Sequence, residues 1–419
     1  MKVLVVGGGG REHALVWKLA QSPDVTKLYC APGNGGIGEI AELVPIGAMD
    51  VDGIVNFSKA HQIDLVVVAP DDPLAIGMVD ALETAGIKAF GPRKNAAVIE
   101  ASKVFAKELM KKYRIPTADY RVFDNSRDAM EYVSQAELPL VVKADGLALG
   151  KGVLICHTRD EAIQAIRSIM EDKKFGSAGQ RIVVEEFLTG PEVSVLAFTD
   201  GRTIKPMVSV QDHKRAFDQD KGPNTGGMGT FSPSRVYTED IARECMETIF
   251  RPTVEAMNQE GRTFKGVLYF GLMLTEKGPR VLEYNARFGD PESQVVMPRL
   301  KTDLLKIMQA VVNEELDRID IEWHEDAAVC VVMASGGYPE AYEKGFEITG
   351  LDQVANQSDI MVFHAGTKKE GEKFLTNGGR VLGVTARGSD LEEARRKAYD
   401  AVSRIHFKNA HYRRDIGIK

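Results

Sequence analysis

Cysteine is scarce: four residues in 419, Cys30, Cys156, Cys245 and Cys330, spaced too widely for any C-x-x-C pair. That excludes a disulfide framework and a thiolate zinc site, and it is the usage of a reducing compartment. An excess of positive charge is also missing. Lysine and arginine number 53 against 60 acids, a formal net charge of −7, so no molecule-wide field would gather nucleic acid or anionic lipid. No segment approaches the roughly 20 apolar residues that span a bilayer. The opening MKVLVVGGGG carries one lysine and an apolar run too short for a signal peptide. Internal repeats, low-complexity tracts and long charge runs are absent, which points away from a scaffold and toward a catalytic protein. The expectation is a cytoplasmic protein with no membrane or nucleic-acid partner.

Apolar patterning is plentiful. With 44% hydrophobic residues over this length, the chain should bury roughly two to four cores. In the first hundred residues the apolar runs KVLVV (2–6), KLYCA (27–31) and LVVVAP (65–70) alternate with helical stretches such as REHALVWKLAQS and MVDALETAG. That alternation predicts a parallel, Rossmann-like α/β domain over 1–100. The pattern then changes. ASKVFAKELMKKY (101–113) predicts an amphipathic helix, and LPLVVKADG with KGVLIC predicts an antiparallel hairpin around a glycine-rich turn. EVSVLAFTDG, RTIKPMVSVQ, GVLYFGLMLTEKG and PRVLEYNARF predict a larger antiparallel sheet, and residues 327–419 a compact α+β unit.

Gly7–Gly10 after the first strand invite a dinucleotide reading, but Glu12 or His13 stands at the third glycine position. The second strand ends in Ala31-Pro32, where a ribose-binding acid is expected. Two readings stay open: an anion at the helix end, or a close-packed turn. Asp71-Asp72 follow a strand that ends at Pro70, and they either hold sugar hydroxyls or cap the next helix. Asp145–Gly152 (DGLALGKG) fails as a P-loop. Three residues rather than four separate Gly146 from Gly150, Gly152 replaces the Ser/Thr, and strands flank both sides. A glycine hairpin of this kind can instead fold over phosphates, with Lys143 on its approach strand. Val183-Val184-Glu185-Glu186 leads an apolar strand into paired acids, and Glu192 follows. The most informative stretch is VLEYNARFGDPE (281–292). Alternation sets Glu283 and Asn285 on one face of a strand, a carboxylate and an amide oxygen suited to a hard cation, with Arg287 next on that face. The loops Gln211–Arg215 and Gly222–Gly229 could cover phosphate and exclude water. His13 and His213 read as structural or orienting histidines.

Taken together, GGGGREHAL, PDDPLAIGMVD, VVKADGLALGKGV, QDHKRAFD, GPNTGGMGTFSP and LEYNARFGDPESQ resemble the phosphoribosylamine–glycine ligase family of the ATP-grasp superfamily, in order along nearly the whole chain. The resemblance implies an amino-terminal substrate domain (1–100), an ATP-grasp region (101–326) whose lid covers about 121–189, and a small carboxyl-terminal domain (327–419). It implies ATP held by Lys103, Lys143, Gly146, Gly150, Lys151, Gly152, Glu185, Phe187, Leu188 and Glu192. Glu283 and Asn285 match the ligands of Mg2+ or Mn2+. Arg287, Asp212 and Lys214 would face the reacting centre. 5-Phosphoribosylamine would lie near Gly9, Gly10, Asn34 and Asp71, and glycine's ammonium near Asp290. The implied chemistry is ATP-dependent amide formation through glycyl phosphate, by a monomer that transiently contacts the preceding purine-pathway enzyme. Asp71-Asp72 depart from the Glu-Ala of many relatives, and Phe270-Gly271-Leu272-Met273 offers no second metal ligand. The rivals are another ATP-grasp carboxylate–amine ligase, a non-catalytic nucleotide sensor, and the NAD dehydrogenase weakened above.

Overall fold

The computed structural model describes residues 1–147 and 152–418. The expected lid residues Gly150 and Lys151 therefore lie outside the described residues, whereas Gly146 and Gly152 lie within them.

Strands β1 (Lys2–Gly7), β2 (Lys27–Pro32), β3 (Glu42–Leu43), β4 (Leu65–Val68) and β5 (Ala89–Phe90) form a parallel sheet in the order β3-β2-β1-β4-β5. The unbroken apolar runs Val3–Val6 and Leu65–Val68 are buried, as a parallel sheet covered on both faces requires. Strand order reverses between β1 and β4. The loops after these two strands therefore flank a crevice at their carboxyl ends, the usual ligand position in such a sheet. Gly8–Gly10 and Asp71 stand there.

Helix Lys103–Lys112 follows, capped by Ser102, whose hydroxyl accepts from the Phe105 N–H at 3.1 Å. The antiparallel sheet beyond it has the order β6-β9-β7-β8, with β6 at Tyr120–Phe123, β7 at Leu140–Ala144, β8 at Val153–Cys156 and β9 at Ile182–Glu186. Facing it is a second antiparallel sheet, β11-β10-β16-β17, with β10 at Glu192–Thr199, β11 at Ile204–Pro206, β16 at Gly266–Thr275 and β17 at Gly278–Asn285. Lys143 bridges them: its Nζ on β7 donates to the Leu282 carbonyl on β17 at 3.2 Å.

The third large sheet differs from the expectation. Its order is β12-β15-β18-β23-β20, where β12 is Gln211–Asp212, β15 Gly229–Ser232, β18 Ala327–Ala334, β20 Ile360–His364 and β23 Arg380–Gly388. Two segments from the middle of the chain thus complete the carboxyl-terminal sheet, and position 326 does not divide the sheets. The cause is β18, an apolar strand buried along its whole length, which needs a partner on each side. The fully buried Thr230, Phe231 and Ser232 of β15 supply one. Between β12 and β15 a hairpin, β13 (Arg215–Phe217) and β14 (Lys221–Asn224), pairs only with itself. Strands β19 (Glu347–Ile348), β21 (Thr367–Glu370) and β22 (Lys373–Thr376) make a separate small sheet. Helix Leu391–Val402 packs Ala394, Ala398 and Ala401 into this core.

Candidate active site

The inner faces of the two antiparallel sheets meet over a chain of charges. Glu185, 3% exposed at the end of β9, lies between Lys143 at 2.9 Å and Lys107 at 3.2 Å. Its Oε1 is buried without a hydrogen-bond partner among the described residues. That free acceptor suits a donor such as the amino edge of a base, because an unpaired buried oxygen costs free energy until it is met. Lys107 was not anticipated. It lies one turn beyond Lys103 on the same helix face, donates to Thr117 Oγ1 at 2.7 Å, and is pushed down by burial to about 8. Lys103 donates to the Gly146 carbonyl at 3.1 Å, and burial lowers its ammonium as well. Asp145 secures the root of the glycine hairpin, accepting from Ser102 Oγ at 2.8 Å and pairing with Arg181 at 2.6 Å. A cavity of about 380 Å³ opens there, lined by Ala101, Gly146, Leu147, Ala178, Gln180 and Arg181 among others. Phe187 and Leu188 are half-buried, and Glu192 opens β10.

At the other end of the cleft, Glu283 and Asn285 close β17, and Arg287 follows with Nη2 at 3.4 Å from Asn285 Oδ1. Lys214 reaches in from its loop, 3.3 Å from Glu192 and 3.7 Å from Glu283. Burial alone would raise the Glu283 carboxyl, but Lys214, Lys143, Lys103 and Arg287 outweigh it and hold it below its ordinary range. An ionised carboxylate beside an amide oxygen is the right donor pair for a hard divalent cation. Among the described residues no three His, Cys, Asp or Glu side chains converge as a complete metal cage. An ion here would need further oxygens from phosphate and water, which is how magnesium is ordinarily held. Arg287 is fixed from behind by Glu100, whose Oε1 lies 2.9 Å from Nη2 while Oε2 accepts the Ala286 N–H at 2.7 Å. Burial pushes Glu100 up to about 7. Its position at the end of helix Lys94–Ala101 carries no signal in the sequence.

The expected substrate residues divide. Asp71 stands in the crevice, and its charge reaches both Glu100 and Arg287. At Gly9 the backbone donor is already engaged. The Gly9 N–H is taken by Glu12 Oε2 at 2.6 Å, and a Cβ on Gly9 would lie 3.3 Å from Asp290 Oδ2. A phosphate approaching Gly9 would meet two carboxylates. The glycines serve close packing: a Cβ on Gly8 would collide with the Gly33 carbonyl, and one on Gly10 would lie 2.5 Å from Gln294 Nε2. Asn34 is engaged within its own loop and at β20. Its Nδ2 donates to Gly8 O and His364 O, and its Oδ1 accepts the Gly36 and Ile37 N–H groups. The amide shapes the loop and has no capacity left for a sugar. Asp290 is engaged as well, by Arg380 at 3.3 Å and Gln294 at 2.9 Å. Burial acts to raise its carboxyl, and the Arg380 and Arg11 charges override that and lower it. Asp212 has its Oδ1 buried without a partner among the described residues. Burial, then the neighbouring Glu292 charge, pushes Asp212 well above the carboxylate range. Glu292 in turn accepts from Tyr269 Oη at 3.1 Å, and Tyr269 meets Ser194 Oγ at 2.7 Å.

A cleft roofed by one antiparallel sheet and floored by another, with a carboxylate and an amide side chain at the end of the floor's last strand, is the ATP-grasp arrangement. The chain matches the family model described as the N domain of phosphoribosylglycinamide synthetase over residues 1–100. It also matches the ATP-grasp (A) domain over 101–293 and the C domain over 328–419. It belongs to the phosphoribosylglycinamide synthetase family. A phosphoribosylamine–glycine ligase of Halalkalibacterium halodurans is 48% identical over 419 residues, covering 100% of this chain and 97% of its own. The crystal structure of a phosphoribosylamine–glycine ligase from Thermotoga maritima superposes with a TM-score of 0.87 at 34% identity, covering 99% of this chain and 100% of that one. The biotin carboxylase domain of Hydrogenobacter thermophilus 2-oxoglutarate carboxylase, solved with MgADP, shares the fold at a TM-score of 0.76 and 16% identity, covering 98% and 91%. Among the described residues no helix is long and apolar enough to cross a membrane.

Proposed function

We infer that this protein ligates glycine to 5-phosphoribosylamine, yielding glycinamide ribonucleotide, ADP and phosphate in de novo purine biosynthesis. A carboxylate is a poor acyl donor because its leaving group would be oxide. ATP supplies a better one. Glycine's carboxylate oxygen attacks the γ-phosphorus, the bond to the β,γ-bridging oxygen breaks, and glycyl phosphate forms. The amine of phosphoribosylamine then attacks the acyl carbon, loses a proton, and phosphate departs. The first step brings two anions together, so the chain must supply cations and hold both partners in line. Lys103, Lys143, Lys214 and Arg287 do so, the last aimed by Glu100. Glu185 takes the base and Glu192 the ribose. Phe187 and Leu188 lie beside them, and the β6–β9 sheet with its hairpin closes over the phosphates to exclude water. Glu283 and Asn285 would hold Mg2+ or Mn2+, which when bound neutralises β- and γ-phosphate oxygens as charge passes to the leaving ADP. Glycine's ammonium faces Asp212 and Glu292, supplying the positive charge that pair lacks. The sugar of phosphoribosylamine lies in the β1–β4 crevice near Asp71, where its hydroxyls can donate.

The observation that carries this reading is the Glu283–Asn285–Arg287 strand end with Lys214 above it. The test is ADP release with ATP, magnesium, glycine and phosphoribosylamine, each omitted in turn. Turnover should need all of them. Full turnover with another carboxylate in place of glycine would instead assign the chain to a different ligase.

A further inference from the structure

The loop that carries Asp212 and Lys214 is tied at its root, where the Lys214 carbonyl accepts the Thr225 N–H at 2.8 Å and the His213 N–H donates to the Gly229 carbonyl at 2.9 Å. Its hairpin, β13–β14, is an isolated two-stranded sheet, and such hairpins are marginal in water. The turn adds strain, because Gln219 and Asp220 hold φ of 60° and 54° without being glycine. Beyond that root, the hairpin is clasped by residues 411–415. Arg413 is fully buried, at 0% exposure. Its Nη1 donates to the Arg215 carbonyl at 3.1 Å and to Asp220 Oδ1 at 2.9 Å. Its Nε and Nη2 fork onto Asp415 at 2.8 and 2.7 Å.

Neighbouring tail groups continue the clasp. Asp415 Oδ2 accepts the Gln219 N–H at 2.8 Å, and the Arg414 N–H donates to Asp218 Oδ1 at 2.7 Å. His411 Nε2 lies 2.8 Å from the Ala216 carbonyl, and the Gly417 N–H donates to His213 Nε2 at 3.2 Å. Tail contacts therefore fall on both sides of Lys214, at His213 and at Arg215. The tail is anchored in turn to helix Leu391–Val402: Tyr399 Oη donates to the Arg413 carbonyl at 2.7 Å and accepts the Ile416 N–H at 3.0 Å. On the cleft side, the Lys214 ammonium is already at Glu192 and Glu283. A small movement of its backbone would withdraw it.

We propose that Arg413 is a positioning residue for the ligation, acting through the carboxyl-terminal tail to hold Lys214 and Asp212 against the strand that bears Glu283. This rests on the reading of the cleft given above. The guanidinium matters for its fork, since one planar group satisfies two carboxylates and a carbonyl at fixed angles, which an ammonium cannot do.

The test compares the full-length wild type with Arg413→Met and Arg413→Lys. MgADP affinity is measured by titration, glycine-dependent ADP release by kinetics, and amide exchange over residues 213–220 by mass spectrometry. Arg413→Met should keep MgADP affinity within about twofold, lose at least about tenfold in kcat/KM for glycine, and exchange faster over 213–220. Exchange in β16 should stay unchanged, and Arg413→Lys should recover part of the loss. If Arg413→Met does not fold, Asp415→Asn replaces it with the same expected split. A folded variant with wild-type glycine kinetics would overturn the proposal, as would one that loses MgADP affinity and turnover equally. A wild type that releases no ADP with glycine and the amine refutes the ligase reading instead. Unchanged exchange over 213–220 in Arg413→Met would then overturn the positioning role on its own.

Discussion

Two stretches of this chain invite a ligand, the glycines after β1 and the polar end of β17, and they are built in opposite ways. At Gly7–Gly10 several polar groups are met from within the chain: the Gly9 N–H by Glu12 Oε2, the Gly8 carbonyl by Asn34 Nδ2, and the Gly7 carbonyl by the Gly33 N–H. At 283–285 charge is held apart from full pairing. Glu283 sits 3.7 Å from Lys214, and nearby Asp212 and Glu185 each leave an oxygen without a partner among the described residues. Satisfied groups describe packing. Groups kept buried and unmet describe a place prepared for something else, because such atoms otherwise cost the fold free energy.

The sharpest way to break this comparison is Glu283→Ala. Turnover should fall by about 10²–10³-fold, the scale of losing one preorganised charge contact, with an unchanged melting temperature because the side chain faces the cleft. Retained activity would place the cation elsewhere. Gly8→Ala probes the other region. Its Cβ has no room against the Gly33 carbonyl, so denaturant unfolding should show a loss of about 1–3 kcal/mol from overpacking, with MgADP affinity unchanged. If stability held and only the KM for phosphoribosylamine rose, the turn would be a ligand site after all.

Glu100→Gln should be milder, about tenfold in kcat, on the 1.5 kcal/mol scale of a weakened charged hydrogen bond. It also carries a pH signature. With Glu100 titrating at about 7, the wild type has the ionised partner for Arg287 above that pH and a neutral one below. The gap between variant and wild type should therefore widen from pH 6 to pH 8. The smallest effect lies where helix Gly10–Leu19 meets β20. His13 Nδ1 accepts the His364 N–H at 2.8 Å, and burial lowers the two rings to about 3 and about 4. Both are neutral in the fold but protonate near 6.5 when unfolded. Their contribution is present above pH 6.5 and is lost as pH falls toward 4. Urea midpoints should drop over that window, and less so in His13→Gln.

Much of this was legible before the fold was known. Buried parallel strands announced themselves as β-branched runs, and the alternation in VLEYN put Glu283 and Asn285 on one face. What could not be read came from sequence distance. Glu100 and Arg287 are 187 positions apart by their numbering and meet only because helix Lys94–Ala101 packs on the end of β17. Arg380 reaches Asp290 from another sheet. Lys107 could have been found, since Lys103 and Lys107 stand one helical turn apart. The pairing of β15 with β18 could not, because Gly-Thr-Phe-Ser is too short to show a period. The glycine turn is ambiguous for a different reason. Glycine marks close approach of backbone, and sequence does not say whether the approaching group is a phosphate or the protein's own Gly33.

The most direct measurement is a crystal structure with a non-hydrolysable ATP analogue and magnesium. An ion should lie about 2.1 Å from a Glu283 carboxylate oxygen and from Asn285 Oδ1, in contact with the terminal phosphates. An ordered nucleotide whose ion lies away from both residues would contradict that placement.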